Sequence, residues 1–258
     1  MKLDIQVSGK GRNLVLIHGW AMSSLVWAHW LDELEKSYQV IRVELPGHGI
    51  SQHNQSWSMN ELLEMLAQQL PAKCSVLGHS LGGMVALAYA AKYPLKVESL
   101  VMLASSAKFV QTSDWQHAQA LETFTVFGEG LLENPKLAVK QFLLLQTQGM
   151  RGARKTTALL KGLVNDAPAK ALIALNSGLD ALKKMDLRAE LKSISCPLLM
   201  LLGEQDQLVP VGVGTDSLAL NTKIKLVVIS GAAHVPFLSH QADVMRAIEQ
   251  FIPAKERV

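Results

Sequence analysis

The chain has 258 residues, 49% apolar and 18% charged, without a biased tract or internal repeat, a composition that suits one globular unit and excludes a disordered chain. Its 25 Lys and Arg against 22 Asp and Glu leave a net charge of +3, too mild to imply nucleic acid as a partner. No apolar run approaches the roughly 18 residues that a membrane helix needs, and two cysteines make neither a disulfide framework nor a zinc site, so Cys74 and Cys196 read as small buried residues.

The opening MKLDIQVSGK alternates polar and apolar residues as a strand does and lacks the apolar stretch of a secretory signal, which points to the cytoplasm. Short β-rich runs follow at NLVLIHG (13–19), YQVIRVEL (38–45), CSVLGHS (74–80) and VESLVMLAS (97–105), separated by helix-compatible segments such as SMNELLEMLAQQL and GMVALAYAAKY. Such alternation predicts a parallel sheet. From Ala107 to Ser195 the β-runs vanish and Leu, Ala, Lys and Gln dominate, which predicts a helical insertion. The pattern resumes with CPLLMLLGEQD (196–206), KLVVISGAAH (225–234) and a helix-like HQADVMRAIEQFI. The expected organisation is an α/β core of residues 1–106 and 196–258, with helices on both faces of a mostly parallel sheet, interrupted by a helical lid of residues 107–195.

Within this frame, Gly78-His79-Ser80-Leu81-Gly82 matches G-x-S-x-G, with a strand before it and a helix after it. A serine there occupies a strained turn that exposes its hydroxyl above the sheet; the alternative is a serine that merely caps the helix. A hydroxyl is a poor nucleophile without a base, and the partners in this architecture come in the order Ser, acid, His, on loops after late strands. His234 directly follows the last β-run and is the expected base, with His240 six residues farther as a surface or cap residue. In LLGEQDQLVP the expected acid is Asp206, with Glu204 as its rival. The oxyanion donors should be the backbone N–H of Leu81 and that of Trp20, in the loop after LVLIHG. His18, His48, His79 and Glu44 read as structural residues of the surrounding loops.

The segments LIHGW, ELPGHGIS, GHSLGG, SLVMLASSAKF, QFLLLQTQGM, LDALKKMDLR, GEQDQLVP and GAAHVPFLSHQ together resemble, nearly end to end, the pimeloyl-[acyl-carrier protein] methyl ester esterases of biotin synthesis, which are α/β-hydrolases. In ELPGHGIS, Glu44 replaces the family's usual Asp. The resemblance implies the α/β-hydrolase fold and a monomeric cytoplasmic serine carboxylesterase that works without metal or cofactor. Its substrate would be a methyl ester on a pimeloyl chain tethered to acyl carrier protein. Ser80, Asp206 and His234 match the family's catalytic triad, Trp20 and Leu81 its oxyanion positions, and Trp20 with Phe142, Leu143, Leu144, Leu145 and Gln146 its acyl-binding residues. A broad carboxylesterase of small esters or a ring-fission-product hydrolase would keep the same triad. A receptor-like member would not need it, and a dehalogenase would place Asp at the elbow.

Charge gives the insertion a character of its own. Residues 107–195 hold twelve Lys and Arg against eight Asp and Glu, whereas the rest of the chain holds thirteen against fourteen. Spacings of three, four and seven residues predict that Arg151, Arg154, Lys155 and Lys161 share a helical face, a candidate surface for an acidic carrier protein. An ordinary solvated face would look the same. Leu137, Gln141 and Ala158 stand where the family is basic, so docking here would use a shifted set.

Overall fold

The computed structural model describes residues 2–51, 53, 55–163 and 172–252. The first half runs β1 (Ile5–Gly9), β2 (Arg12–Ile17), a short 3-10 turn (Ser24–Trp27), α1 (Ala28–Leu34), β3 (Tyr38–Val43), α2 (Met59–Gln69), β4 (Cys74–His79), α3 (Leu81–Lys92) and β5 (Val97–Leu103). Five helices then intervene: α4 (Leu121–Glu133), α5 (Pro135–Leu145), α6 (Ala153–Leu163), α7 (Leu172–Lys184) and α8 (Arg188–Ser193). The chain closes with β6 (Leu198–Gly203), α9 (Gly212–Leu220), β7 (Lys225–Ile229), α10 (Pro236–Ser239) and α11 (Gln241–Phe251).

Seven strands form one sheet in the order β1-β3-β2-β4-β5-β6-β7, parallel except where β1 pairs antiparallel with β3. Every residue of β4 and β6 is buried, as a strand covered on both faces requires, which is why CSVLGH and LLMLLG read as continuous rather than alternating runs. Edge strand β7 is mostly half-exposed instead. After β2 the chain steps outward to β3 and then returns to the other side of β2 as β4. That reversal opens a crevice at the carboxyl ends of β2 and β4, where ligands of open α/β sheets bind.

The sequence runs overshoot these strands at their carboxyl ends. His18 and Gly19 after β2, Ser80 after β4, and Ala104 and Ser105 after β5 have left the ladder and form the loops around the crevice. In the 107–195 stretch the only β pairing among the described residues is a pair of isolated bridges, Val110 with Gln119 and Thr112 with Trp115, and residues 164–171 of the expected lid lie outside the described residues. Two indoles tie α7 to the core: Trp20 Nε1–H donates to the Leu175 carbonyl and Trp57 Nε1–H to the Ala174 carbonyl, each over 2.9 Å. The expectation that Arg151 shares a helical face with Arg154 and Lys155 is corrected. Gly149 and Gly152 take positive φ of 86° and 80°, so α6 begins only at Ala153 and Arg151 sits in the turn before it.

Candidate active site

Ser80 alone reverses the chain between β4 and α3. Its backbone lies at φ 53° and ψ −118°, a left-handed conformation that a residue with a Cβ rarely adopts. Close packing holds it there: a methyl group on Gly78 would lie 2.1 Å from the Gly82 carbonyl oxygen, and one on Gly82 would lie 2.3 Å from that of Ile17. Only glycine fits either place, which accounts for both glycines of the motif. The Ser80 side chain makes no capping bond to α3; its hydroxyl instead donates to His234 Nε2 over 2.9 Å. Backbone strain thus delivers a hydroxyl to a base rather than closing a helix end.

His234 lies in the loop between β7 and α10. Its Nδ1–H donates to Asp206 Oδ2 over 2.8 Å, while Asp206 Oδ1 accepts from the backbone N–H groups of Leu208 and Val209 at 2.8 and 2.9 Å. The base is also held by its own backbone: its N–H donates to the Gln146 carbonyl at the end of α5, and its carbonyl accepts from His79 Nε2–H over 2.8 Å. Ser80, Asp206 and His234 are 4%, 3% and 1% exposed, so water screens these contacts little. Hydroxyl, imidazole and carboxylate in series are the arrangement that turns a serine into a nucleophile.

The rivals are occupied elsewhere. Glu204 accepts from Gly231 N–H and Ser230 Oγ–H, each over 2.8 Å; these bonds hold its carboxyl below the usual range and fasten it to the turn after β7. His240 sits at the N-cap of α11, where its Nδ1 meets Ser239 Oγ and no side-chain capping bond forms.

Beneath the loop after β2 lies a second buried polar group. His18 Nδ1–H donates to the Gly19 carbonyl over 2.8 Å, and its Nε2 lies 3.0 Å from both Leu45 N–H and Glu44 Oε1. Glu44 is gripped in turn by Ser24, whose N–H and hydroxyl donate at 3.0 and 2.8 Å. Burial pushes the Glu44 carboxyl up, but the bonds from His18 and Ser24 outweigh it and hold it below the usual range. His48, ring to ring 5.1 Å from His18, is driven down to about 3 by burial first and by the neighbouring His18 second. His79 is lowered well below the ordinary value by the same kind of burial. Each of these side chains is buried and bonded within the loops around the crevice.

A cavity of about 1,100 Å³ lies among the helices between β5 and β6 and reaches the core at Trp20 and Leu208. Its walls are apolar, with the Trp20 ring edge-on to Phe127 and Phe142, each 5.0 Å away. Of the expected acyl-binding residues, Trp20, Phe142, Leu144 and Leu145 line it. Leu143 and Gln146 do not: both are buried on the inward side of α5 and its end, and the Gln146 amide has no partner within the protein. Arg154 and Lys161 contribute to the rim with Ala158, at helical spacings of four, three and seven, whereas Arg151 and Lys155 are exposed away from it. Among the described residues no three His, Cys, Asp or Glu side chains gather as a metal site needs, and no helix is long and apolar enough to cross a membrane.

A family profile described as the alpha/beta hydrolase fold matches residues 12–241. The chain belongs to the α/β-hydrolase family. Among this hydrolase's relatives, a protein of Methylococcus capsulatus (Bath) is 36% identical over 252 residues, 98% of this chain and 99% of its own. One of Photobacterium profundum is 37% identical, covering 96% and 97%, and one of Pectobacterium atrosepticum 38%, covering 91% and 92%. All three are named pimeloyl-[acyl-carrier protein] methyl ester esterase. Among solved structures, an esterase from Exiguobacterium antarcticum superposes with a TM-score of 0.86 over 96% of this hydrolase and 94% of its own chain, at 20% identity. A Bacillus anthracis bromoperoxidase reaches 0.82 at 22% identity, covering 96% and 95%; at such identities the likeness concerns the fold alone.

Proposed function

We propose that this chain is a serine carboxylesterase that hydrolyses the methyl ester of pimeloyl-[acyl-carrier protein], the activity for which its relatives are named. The observation that carries the reading is the buried Ser80–His234–Asp206 hydrogen-bond series; an apolar cavity reaches toward it at Trp20, in the loop after β2, and at Leu208, whose N–H is bonded to Asp206. Residues 107–195 act as a lid over a core of residues 1–106 and 196–258. A monomer in the cytoplasm would meet a soluble carrier protein there.

In the first half-reaction His234 Nε2 takes the Ser80 proton as Oγ attacks the ester carbonyl, and the N–H groups of Trp20 and Leu81 receive the oxyanion. Collapse expels methanol, protonated by the imidazolium. In the second half-reaction His234 removes a proton from water, hydroxide adds to the acyl-enzyme, and Ser80 leaves with that proton, freeing the pimeloyl carboxylate on its carrier. Asp206 fixes the imidazole tautomer and stabilises its charged form throughout. These steps need neither metal nor cofactor. Phe142, Leu144 and Leu145 cover the acyl methylenes at about 0.8 kcal/mol each, a gain too even along the chain to select length sharply.

The test is purified protein on methyl pimeloyl-carrier protein, with loss of one CH₂ followed by mass spectrometry. Hydrolysis of the tethered ester, faster per encounter than that of free methyl esters, is expected. Turnover confined to small free esters would make this a general carboxylesterase instead.

A further inference from the structure

The two N–H groups of an oxyanion hole are backbone groups, so their aim depends on what fixes the peptide planes that carry them. In a planar trans peptide the carbonyl and the N–H point in opposite directions, so a bond at the carbonyl end sets where the N–H points. The N–H of Trp20 shares its peptide with the Gly19 carbonyl, and that of Leu81 with the Ser80 carbonyl.

Each carbonyl accepts backbone N–H groups, Gly19 from Met22 at 3.3 Å and Ser80 from Gly83 and Met84 at 2.9 and 3.2 Å, and each has a shorter bond from a buried side chain. The Gly19 carbonyl accepts from His18 Nδ1–H over 2.8 Å, and the Ser80 carbonyl from the Ser105 hydroxyl over 2.7 Å, with His18 and Ser105 both fully buried. The His18 bond survives either charge state. A neutral ring with its proton on Nδ1 accepts from Leu45 N–H at Nε2; a charged ring donates from Nε2 to Glu44; in both cases Nδ1–H faces Gly19.

Strain marks the same place. Among the described residues the non-glycine residues with positive φ are Ala21 at 55°, Ser80 at 53° and Ala104 at 46°. They follow the adjacent strands β2, β4 and β5, beside Trp20, Leu81 and Ser105 respectively. Gly83 completes the fit: a methyl group there would lie 2.5 Å from Ser105 Cβ and Oγ, so a larger residue would push the hydroxyl off the Ser80 carbonyl. Strained backbone persists where the surroundings over-determine it, and here three loops converge on two peptides.

We propose that His18 and Ser105 are positioning residues of the oxyanion hole, each locking one donor peptide by its carbonyl; this rests on Trp20 and Leu81 being the donors. Each bond also polarises its peptide, making the N–H a stronger donor to developing negative charge. Glu44 and Ser24 act one step further out, by holding His18.

The test compares Ser105→Ala, His18→Gln and His18→Asn with the parent on p-nitrophenyl acetate, active sites being counted with a serine-directed phosphonate so that unfolded protein is discounted. Affinity for a trifluoromethyl ketone, which forms a tetrahedral adduct on Ser80, is measured in parallel. Asn places its amide nitrogen where the imidazole has Nδ1, and Gln places its own where the imidazole has Nε2. Ser105→Ala and His18→Gln should lower kcat about tenfold at nearly constant KM, less than the hundredfold or more that follows outright loss of a donor. The ketone should weaken by the same factor. His18→Asn should recover most of the kcat that His18→Gln loses, although both melt earlier than the parent. Equal kcat per active site in Ser105→Ala and the parent, or equal losses in the two His18 variants, would overturn the proposal. Failure of the underlying reading looks different: the parent itself would bind the trifluoromethyl ketone no tighter than the matching methyl ketone.

Discussion

In the loops that carry Ser80, Asp206 and His234, every side-chain polar atom of the three residues has a partner. Helix α3 behind them buries all ten residues from Leu81 to Ala90. The helices between β5 and β6 are built the opposite way. Helix α4 buries only Leu131, and of twelve large apolar side chains that stand exposed in the described residues, seven lie between Leu121 and Ile173. One region spends polar contacts on fixing three atoms; the other leaves apolar surface and a cavity uncommitted. Reaction geometry tolerates little displacement, whereas an acyl chain needs only apolar room, so one chain can keep both. The two regions meet at the Gln146 carbonyl, which accepts the His234 N–H, and at the two indole bonds to α7.

The largest effect should come from the fixed region. Ser80→Ala should cost on the order of 10⁴-fold or more in ester hydrolysis, because a triad acts as a unit. The variant should stay folded, because only the hydroxyl is removed, with a small change in melting temperature from the His234 Nε2 left without its partner. The measurement is turnover of p-nitrophenyl acetate together with thermal unfolding. Retained turnover in a folded variant would move the chemistry out of these loops.

A smaller effect should come from the rim of the open region, and it should depend on the substrate. Arg154 and Lys161 border the cavity, while Arg151 and Lys155 are exposed away from it. Reversing Arg151 and Lys155 to Glu should lower kcat/KM for the carrier-bound ester by about five- to tenfold at low salt and less at high salt, as for charges that act on encounter. Hydrolysis of a small free ester should stay level. Reversing Arg154 and Lys161 should depress both substrates, because it alters the cavity as well. If the first pair also slows the small ester, the division between rim and outer face is wrong.

How much of this the sequence carries follows the same division. The Ser80–His234–Asp206 hydrogen-bond series is legible because each member is written into a few consecutive residues: glycines two before and two after Ser80, Asp206 in the turn after a Leu-rich run, His234 just past the last strand. The parallel sheet is legible because its strands, covered on both faces, are continuous apolar runs. Contacts between distant segments left no local mark. Nothing in ASSAKF says that Ser105 reaches back to Ser80, and nothing in FLLLQ says that Gln146 turns inward while its carbonyl holds His234. The start of α6 is misjudged for a physical reason that was visible, since QGMRGAR has two glycines around Arg151 and helical spacing alone passes over them.

The smallest effect concerns acid, and it too should belong to the core. His48 is buried, its Nδ1–H donates to the Pro46 carbonyl over 2.9 Å, and its Nε2 has no partner within the protein. Its folded value of about 3 lies below the ordinary 6.5, so the unfolded chain takes up a proton here before the folded one does. Stability from this residue is therefore complete above about 6.5 and drains away as the pH falls toward 3. Glu44 has the same sign, but its carboxyl starts from 4.5, so the interval from pH 6.5 to 5 excludes most of its contribution. His79 remains in that interval, which makes the comparison one of variants rather than of absolute slopes. His48→Asn keeps a donor for the Pro46 carbonyl and removes the titrating ring. Its melting temperature should start lower at pH 7 and then decline by a few degrees less than the parent's between pH 6.5 and 5. Parallel slopes for the parent and His48→Asn would mean that the folded protein admits a charged His48, and that the loop beside Glu44 is less closed than the loops of the triad.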